Sequence, residues 1–182
     1  WKRAGRIDLS RFVFLDESGA KTNMTRLYGR VFGGQRLVDA APHGHWCSTT
    51  ILSSIRLDGS TAAMVIEGAT DTSVFCAYVQ RVLIPSLRPR DIVVMDNPAP
   101  HKHPKILQML ENAGVEVWYL PPYSPDFNPI EKMWSKVKTY LRKAKARTPQ
   151  ALLRAIKRAF QTITAADALG WFQHCGYRYN HS

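Results

Sequence analysis

Three acids in this chain fall where chemistry could use them. Asp16 closes the apolar run Phe12-Val13-Phe14-Leu15, and Asp96 closes Ile92-Val93-Val94-Met95. Glu131 follows a Pro-rich stretch, Leu120-Pro121-Pro122-Tyr123-Ser124-Pro125-Asp126-Phe127-Asn128-Pro129-Ile130. Short continuous apolar runs rich in β-branched and aromatic residues read as buried strands. Two of the acids are therefore expected at strand ends and the third in the first turn of a helix. Carboxylates on separate rigid elements suit hard divalent cations, because such ions take oxygen ligands and keep part of their water shell. Two ions, Mg²⁺ or Mn²⁺, about 4 Å apart can activate a water or a sugar hydroxyl and stabilise the leaving oxygen in an in-line phosphodiester displacement. In that arrangement Asp16 would bridge both ions, Asp96 would hold one and Glu131 the other.

Each acid also has an ordinary local use. An Asp at a strand end commonly closes a turn. Asn128-Pro129-Ile130-Glu131 has the spacing of a helix cap, a first helical proline and a capping box.

The elements that must position these acids can be read in order. Residues 1–10 are basic and weakly patterned, and read as the end of a linker arriving from an N-terminal part. Arg11 to Asp16 is the first strand, with Leu27 to Val31 and Trp46 to Leu57 as further strands. Between them lies a Gly-rich loop whose His43 and His45 lack a third ligand and read as surface residues. The turn Leu57-Asp58-Gly59-Ser60 joins Ile51–Leu57 to Ala62–Ile66 in an antiparallel meander. Asp71 caps a helix on which Val74, Phe75, Tyr78, Val79, Val82 and Leu83 recur at helical spacing until Pro85. Asp91 to Met95 returns as a strand, and a helix between two such strands implies a parallel crossover. Asp96 then lies at the carboxyl edge, where open α/β sheets collect ligands. Pro104–Asn112 is a helix ended by Gly114, and Val115–Leu120 is the fifth strand. The fold class is thus α/β, a mixed five-stranded sheet flanked by helices over residues 11–146. A C-terminal helical extension, 147–182, contains a helix opened by Thr148-Pro149 and a short one carrying Trp171 and Phe172.

Charge points to the partner. Lys and Arg number 25 against 14 Asp and Glu, a net charge of +11 with a pI near 9.9, which favours a polyanion over an acidic small molecule. Ten of those cations lie between Lys132 and Arg158, and no acid occurs from there back to Glu131. On the helix that Glu131 opens, Ile130, Met133, Trp134, Val137, Leu141 and Ala144 form an apolar stripe. Beside it Glu131, Ser135, Lys138, Arg142 and Lys145 fall on one line, flanked by Lys132, Lys136 and Lys143. A phosphate backbone running past a metal site would use such a row, so Lys132, Lys138, Arg142 and Lys145 are expected to contact DNA. Cys47, Cys76 and Cys175 are scattered, without a C-x-x-C pair, and suggest neither a disulfide framework nor a zinc site. A reducing, cytoplasmic setting is expected, and no apolar run approaches the length of a membrane span.

With these residues in hand the chain resembles the DDE transposases of bacterial insertion sequences, in the branch related to the mariner superfamily. The likeness spans roughly residues 11–146. It rests on Phe14-Leu15-Asp16-Glu17-Ser18-Gly19, on Val94-Met95-Asp96-Asn97 followed by His101-Lys102, and on the Pro-Pro-Tyr-Ser-Pro-Asp-Phe-Asn-Pro-Ile-Glu block ending at Glu131. The 34 residues between Asp96 and Glu131 match the interval of this branch. The resemblance implies an RNase H-like fold, two Mg²⁺ or Mn²⁺ ions held by Asp16, Asp96 and Glu131, and cleavage at transposon ends. It further implies joining of the freed 3′-hydroxyl to target DNA, commonly at a TA step. Asn97, His101 and Asn128 would support the ligands, double-stranded DNA would be the partner, a homodimer is possible, and the setting would be the bacterial nucleoid. Two departures stand out. The helix-turn-helix modules that usually precede such a core have no counterpart in residues 1–10, and Pro98 stands where alanine is commoner. Two other readings stay open: another RNase H-like nuclease, which the Pro-rich block disfavours, and a catalytically silent DNA-binding remnant of a transposase.

Overall fold

A computed structural model describes residues 8–40, 42, 44–96 and 102–178. Five strands form one sheet in the order β3-β2-β1-β4-β5. β1 (Phe12–Lys21), β2 (Ser48–Arg56) and β3 (Thr61–Glu67) make the antiparallel meander, and β4 (Ile92–Met95) and β5 (Glu116–Tyr119) continue it in parallel beside β1. The first strand is longer than its apolar run. It continues past Asp16 because its pairing with β2 runs from Val13 to Lys21, whereas its pairing with β4 covers only Phe12 to Phe14. Asp16 is therefore mid-strand rather than terminal, standing just beyond the last β4 partner. Leu27–Val31 is not a strand. It belongs to an irregular excursion between β1 and β2 whose Leu27, Tyr28 and Phe32 are exposed, so the stretch lacks the buried face that would hold it in a sheet.

Side-chain alternation divides the core into two layers. Phe12, Phe14, Ile51, Ile55, Ile92 and Val94 face one way, and Val13, Leu15, Leu52, Val93 and Met95 face the other. Both faces are covered, which is why β1 and β4 read as unbroken apolar runs. The second layer is closed by α1 (Thr72–Tyr78), which passes through a π-helical turn at Val79–Leu83 into α2 (Ile84–Ser86), and by α3 (Pro104–Asn112). Asp71 caps α1 through the Val74 amide at 2.8 Å, and Gly114 ends α3 at φ +69°.

The first layer is closed by α4 (Pro129–Ala144), α5 (Pro149–Gln161) and α6 (Ala165–His174). On α4 the stripe Ile130, Met133, Trp134, Val137 and Leu141 is buried as its period demands, while Ala144 is exposed at the helix end, where Lys145 turns left-handed. The C-terminal helices share this core. Phe172 and Tyr177 pack on Phe14 at ring separations of 5.2 Å, so the residues after α4 are built into the sheet's own hydrophobic layer. At the edge of the sheet away from Asp96, Arg56 and Asp91 form a buried ion pair. Arg56 also donates to the Ser86 carbonyl at 3.1 Å, and the Arg88 amide donates to Asp91 at 2.6 Å. Among the described residues no helix is long and apolar enough to cross a membrane.

Candidate active site

Parity carries both aspartates to the same side. Asp16 follows Phe12 and Phe14, and Asp96 follows Ile92 and Val94, and all four of those residues face the α4 layer. The parallel register pairs Phe14 with Val94, so continuing it two residues sets Asp16 level with Asp96. From the other side comes α4. Its entry is shaped by the Pro-rich segment, which leaves β5 with the Leu120 amide bonded to the Met95 carbonyl at 2.9 Å and makes a 3₁₀ turn at Pro125–Phe127. The Tyr177 hydroxyl donates to the Phe127 carbonyl at 2.8 Å and ties this turn to the end of the C-terminal helical region. The result is a cavity of about 440 Å³ lined by Asp16, Asp96, Asn128, Glu131 and the segment from Leu120 to Pro125.

Glu131 is exposed at the cavity mouth in the first turn of α4. The capping box its spacing suggested does not form. Asn128 occupies the cap position, but its side chain accepts no hydrogen bond from the helix, and its Oδ1 is buried without a partner among the described residues. The Glu131 amide bonds instead to the Asn128 carbonyl at 3.1 Å. Neither side chain is engaged in capping the other, and both border the cavity.

Asp16 is held by neutral donors. Its Oδ1 accepts from the Glu17 amide at 2.8 Å and its Oδ2 from the Trp134 indole at 3.1 Å. Burial pushes its carboxyl up to about 7, the negative charges of Glu131 and Asp96 act in the same direction, and the two hydrogen bonds oppose them. Among the described residues the acids do not collapse into a tight ligand cluster. They stand around a cavity instead. An all-oxygen donor set in which like charges crowd a desolvated carboxylate fits a hard divalent cation, whose charge would return Asp16 to its ionised form.

The expected DNA contacts separate in space. Lys132 lines a groove with Ser135, Lys136, Thr139, Tyr140, Lys143, Thr162, Asp167 and Trp171, and there Lys136 is bonded to Asp167. Arg142 and Lys143 line a second hollow with Arg26, Leu27, Tyr28 and Thr139, next to the first. Lys145 turns away to pair with Asp39 at 2.6 Å, and Lys138 is half-buried beside the stripe. Asn97 and His101, expected to support the ligands, lie outside the described residues, as do Pro98 and His43. Two residues at the site stand in ways their sequence context did not suggest. Trp134 read as core packing, although an indole N–H in a buried stripe needs an acceptor. Tyr123 is fully exposed on the cavity rim with its backbone at φ +54°, a conformation that non-glycine residues adopt at some cost.

A mixed sheet in this order, with acids at the carboxyl edge of its parallel strands and a third acid on the covering helix, defines an RNase H-like domain. The sequence profile of the DDE superfamily endonucleases matches residues 11–153, and the chain belongs to that family. Solved structures share the fold. The Mos1 transposase paired-end complex with left transposon end matches at a TM-score of 0.70 and 17% identity, over 91% of this chain and 52% of that one. The mariner Mos1 paired-end complex with Mg matches at 0.69 and 20% identity, over 96% and 54%. The catalytic core domain of BIV integrase matches at 0.56 and 14% identity, over 93% and 99%. The chain thus spans about half the length of those Mos1 chains. No curated protein matches its sequence.

Proposed function

We propose that residues 11–146 are the catalytic domain of a DNA transposase, which cleaves strands at transposon ends and joins the freed 3′-hydroxyl to target DNA. One observation carries this reading: in a member of the DDE endonuclease family, Asp16, Asp96 and Glu131 line a single cavity at the carboxyl edge of the parallel strands. Asp16, Asp96 and Glu131 would hold two Mg²⁺ or Mn²⁺ ions, in keeping with Mos1 complexes that contain Mg or Mn. When bound, the ions supply Lewis acidity to the attacking and leaving oxygens of an in-line displacement.

The chain's own residues do the rest. Asp16 is oriented from two directions before any substrate arrives, Glu131 reaches in from a rigid helix, and buried Asn128 lines the same cavity. Lys132, Arg142 and Lys143 offer charge to phosphates passing along α4. Double-stranded DNA, as end and as target, is the partner, and a homodimer would pair two ends. The nucleoid of a bacterial cytoplasm is where such a substrate lies.

The test is nicking of DNA that carries the element's terminal repeats, with Mg²⁺ or Mn²⁺ added. Glu131→Gln should lower the rate at least ~10²-fold, as expected when charge stabilisation of the transition state is lost. The same variant should keep its folding free energy within about 1 kcal/mol, since Gln serves the first turn of a helix nearly as well. A parent that never cuts would make a silent DNA-binding remnant the better description, and a nicking rate that survives Asp16→Asn, Asp96→Asn and Glu131→Gln would overturn the three-acid site.

A further inference from the structure

We propose that Trp134 is a positioning residue for the metal centre, its indole N–H holding the Asp16 carboxylate so that each oxygen keeps a lone pair directed to ligands in the cavity. The inference rests on the metal-centre reading above and adds a residue to it. A carboxylate offers about four acceptor sites on its two oxygens. In this structure one site on Oδ1 is taken by the Glu17 amide and one on Oδ2 by Trp134. A carboxylate anchored once on each oxygen cannot rotate about its terminal bond without breaking a hydrogen bond, and each oxygen keeps acceptor capacity for a cation that the cavity would hold.

Trp134 is suited to set that angle. It is 2% exposed, and its ring packs edge-to-face on Phe160 with centroids 6.2 Å apart, so the direction of its N–H is fixed by the core rather than by solvent. It also lies three residues after Glu131, on the neighbouring strip of the same helix. One rigid element therefore delivers Glu131 to the cavity and determines the orientation of the acid across from it. Core packing alone does not account for the pairing. A backbone carbonyl would satisfy an indole without any charge, whereas here the acceptor is a partly desolvated acid facing two other acids.

The test compares the full chain with two variants. Trp134→Phe removes the N–H and part of the ring, and β-(3-benzothienyl)alanine at the same position keeps the bicyclic shape without a donor. Mn²⁺ affinity is measured by calorimetry, with Asp16→Asn as reference, and the indole ¹⁵N–¹H resonance of Trp134 is followed by NMR. Loss of such a supporting hydrogen bond typically weakens a metal site 10- to 100-fold. Both variants should therefore show a Mn²⁺ dissociation constant raised by about that factor, with nicking recovered at high Mn²⁺. The indole resonance should move in Asp16→Asn. Parent-like Mn²⁺ affinity in the benzothienyl variant would overturn the proposal, even if Trp134→Phe proved unstable. A parent that binds Mn²⁺ no better than Asp16→Asn would overturn the metal-centre reading itself, and this role with it.

Discussion

Asp91 at one end of the β1–β4 pair and Asp16 at the other are held in different ways. Asp91, just before β4, is buried against the Arg56 guanidinium and further bonded by the Arg88 amide, so its charge is matched on the spot. Five residues on, Asp96 lines a cavity shared with Asp16 and Glu131, and the hydrogen bonds Asp16 receives come from an amide and an indole. The first arrangement is complete within the chain. The second sets Asp16 on neutral donors, with the like charges of Glu131 and Asp96 nearby. An acid held by neutral donors beside other acids is the kind of arrangement that functional sites use, in keeping with the metal site proposed at the carboxyl edge.

The sharpest test of this contrast is to neutralise one acid at each end. Asp91→Asn should lower the unfolding free energy by about 3–5 kcal/mol in urea titrations, because the Arg56 charge would stay buried without its counterion. Asp16→Asn should leave stability unchanged or raise it, since like-charge crowding is relieved. Equal losses at the two ends would erase the distinction.

A smaller effect is expected from metal alone. Mg²⁺ or Mn²⁺ at about 100 times its dissociation constant should add about 2.7 kcal/mol to the parent's stability, read as a rise in Tm, and Asp16→Asn should lose most of that rise. A rise of equal size in both proteins would mean that the ion binds elsewhere.

The smallest effect concerns the cations along α4. Lys132→Ala with Lys143→Ala should reduce the log-log salt dependence of DNA binding by ~2 units, about one per phosphate contact. Lys145→Ala should change it little, because that ammonium is already balanced by Asp39. A Lys145 effect as large as that of Lys132 would restore the single cationic row that helical geometry alone suggests.

Much of the fold was legible because local rules and burial agreed. β1 and β4 are apolar without interruption since helices cover both faces of the sheet, and Gly114 and Asp71 mark helix ends by their own chemistry. Leu27–Val31 misled for the converse reason: a β-favouring composition forms a strand only where a neighbour offers backbone partners and a buried face. The capping box misled too. Its residues have the right spacing, but the Pro-rich turn delivers Asn128 into the cavity wall instead of onto the helix amides.

The three acids, their order and the 34-residue interval are properties of the sequence alone, because residue type and spacing already encode which groups can bind a hard cation. Tertiary structure decided how they are arranged. Only strand register sets Asp16 level with Asp96, only side-chain parity turns both toward α4, and only packing against Phe160 points the Trp134 N–H at Asp16. Those relations join residues as many as 118 positions apart, and no local periodicity carries such distances; they are settled when apolar faces find each other and the polar groups caught between them must be satisfied.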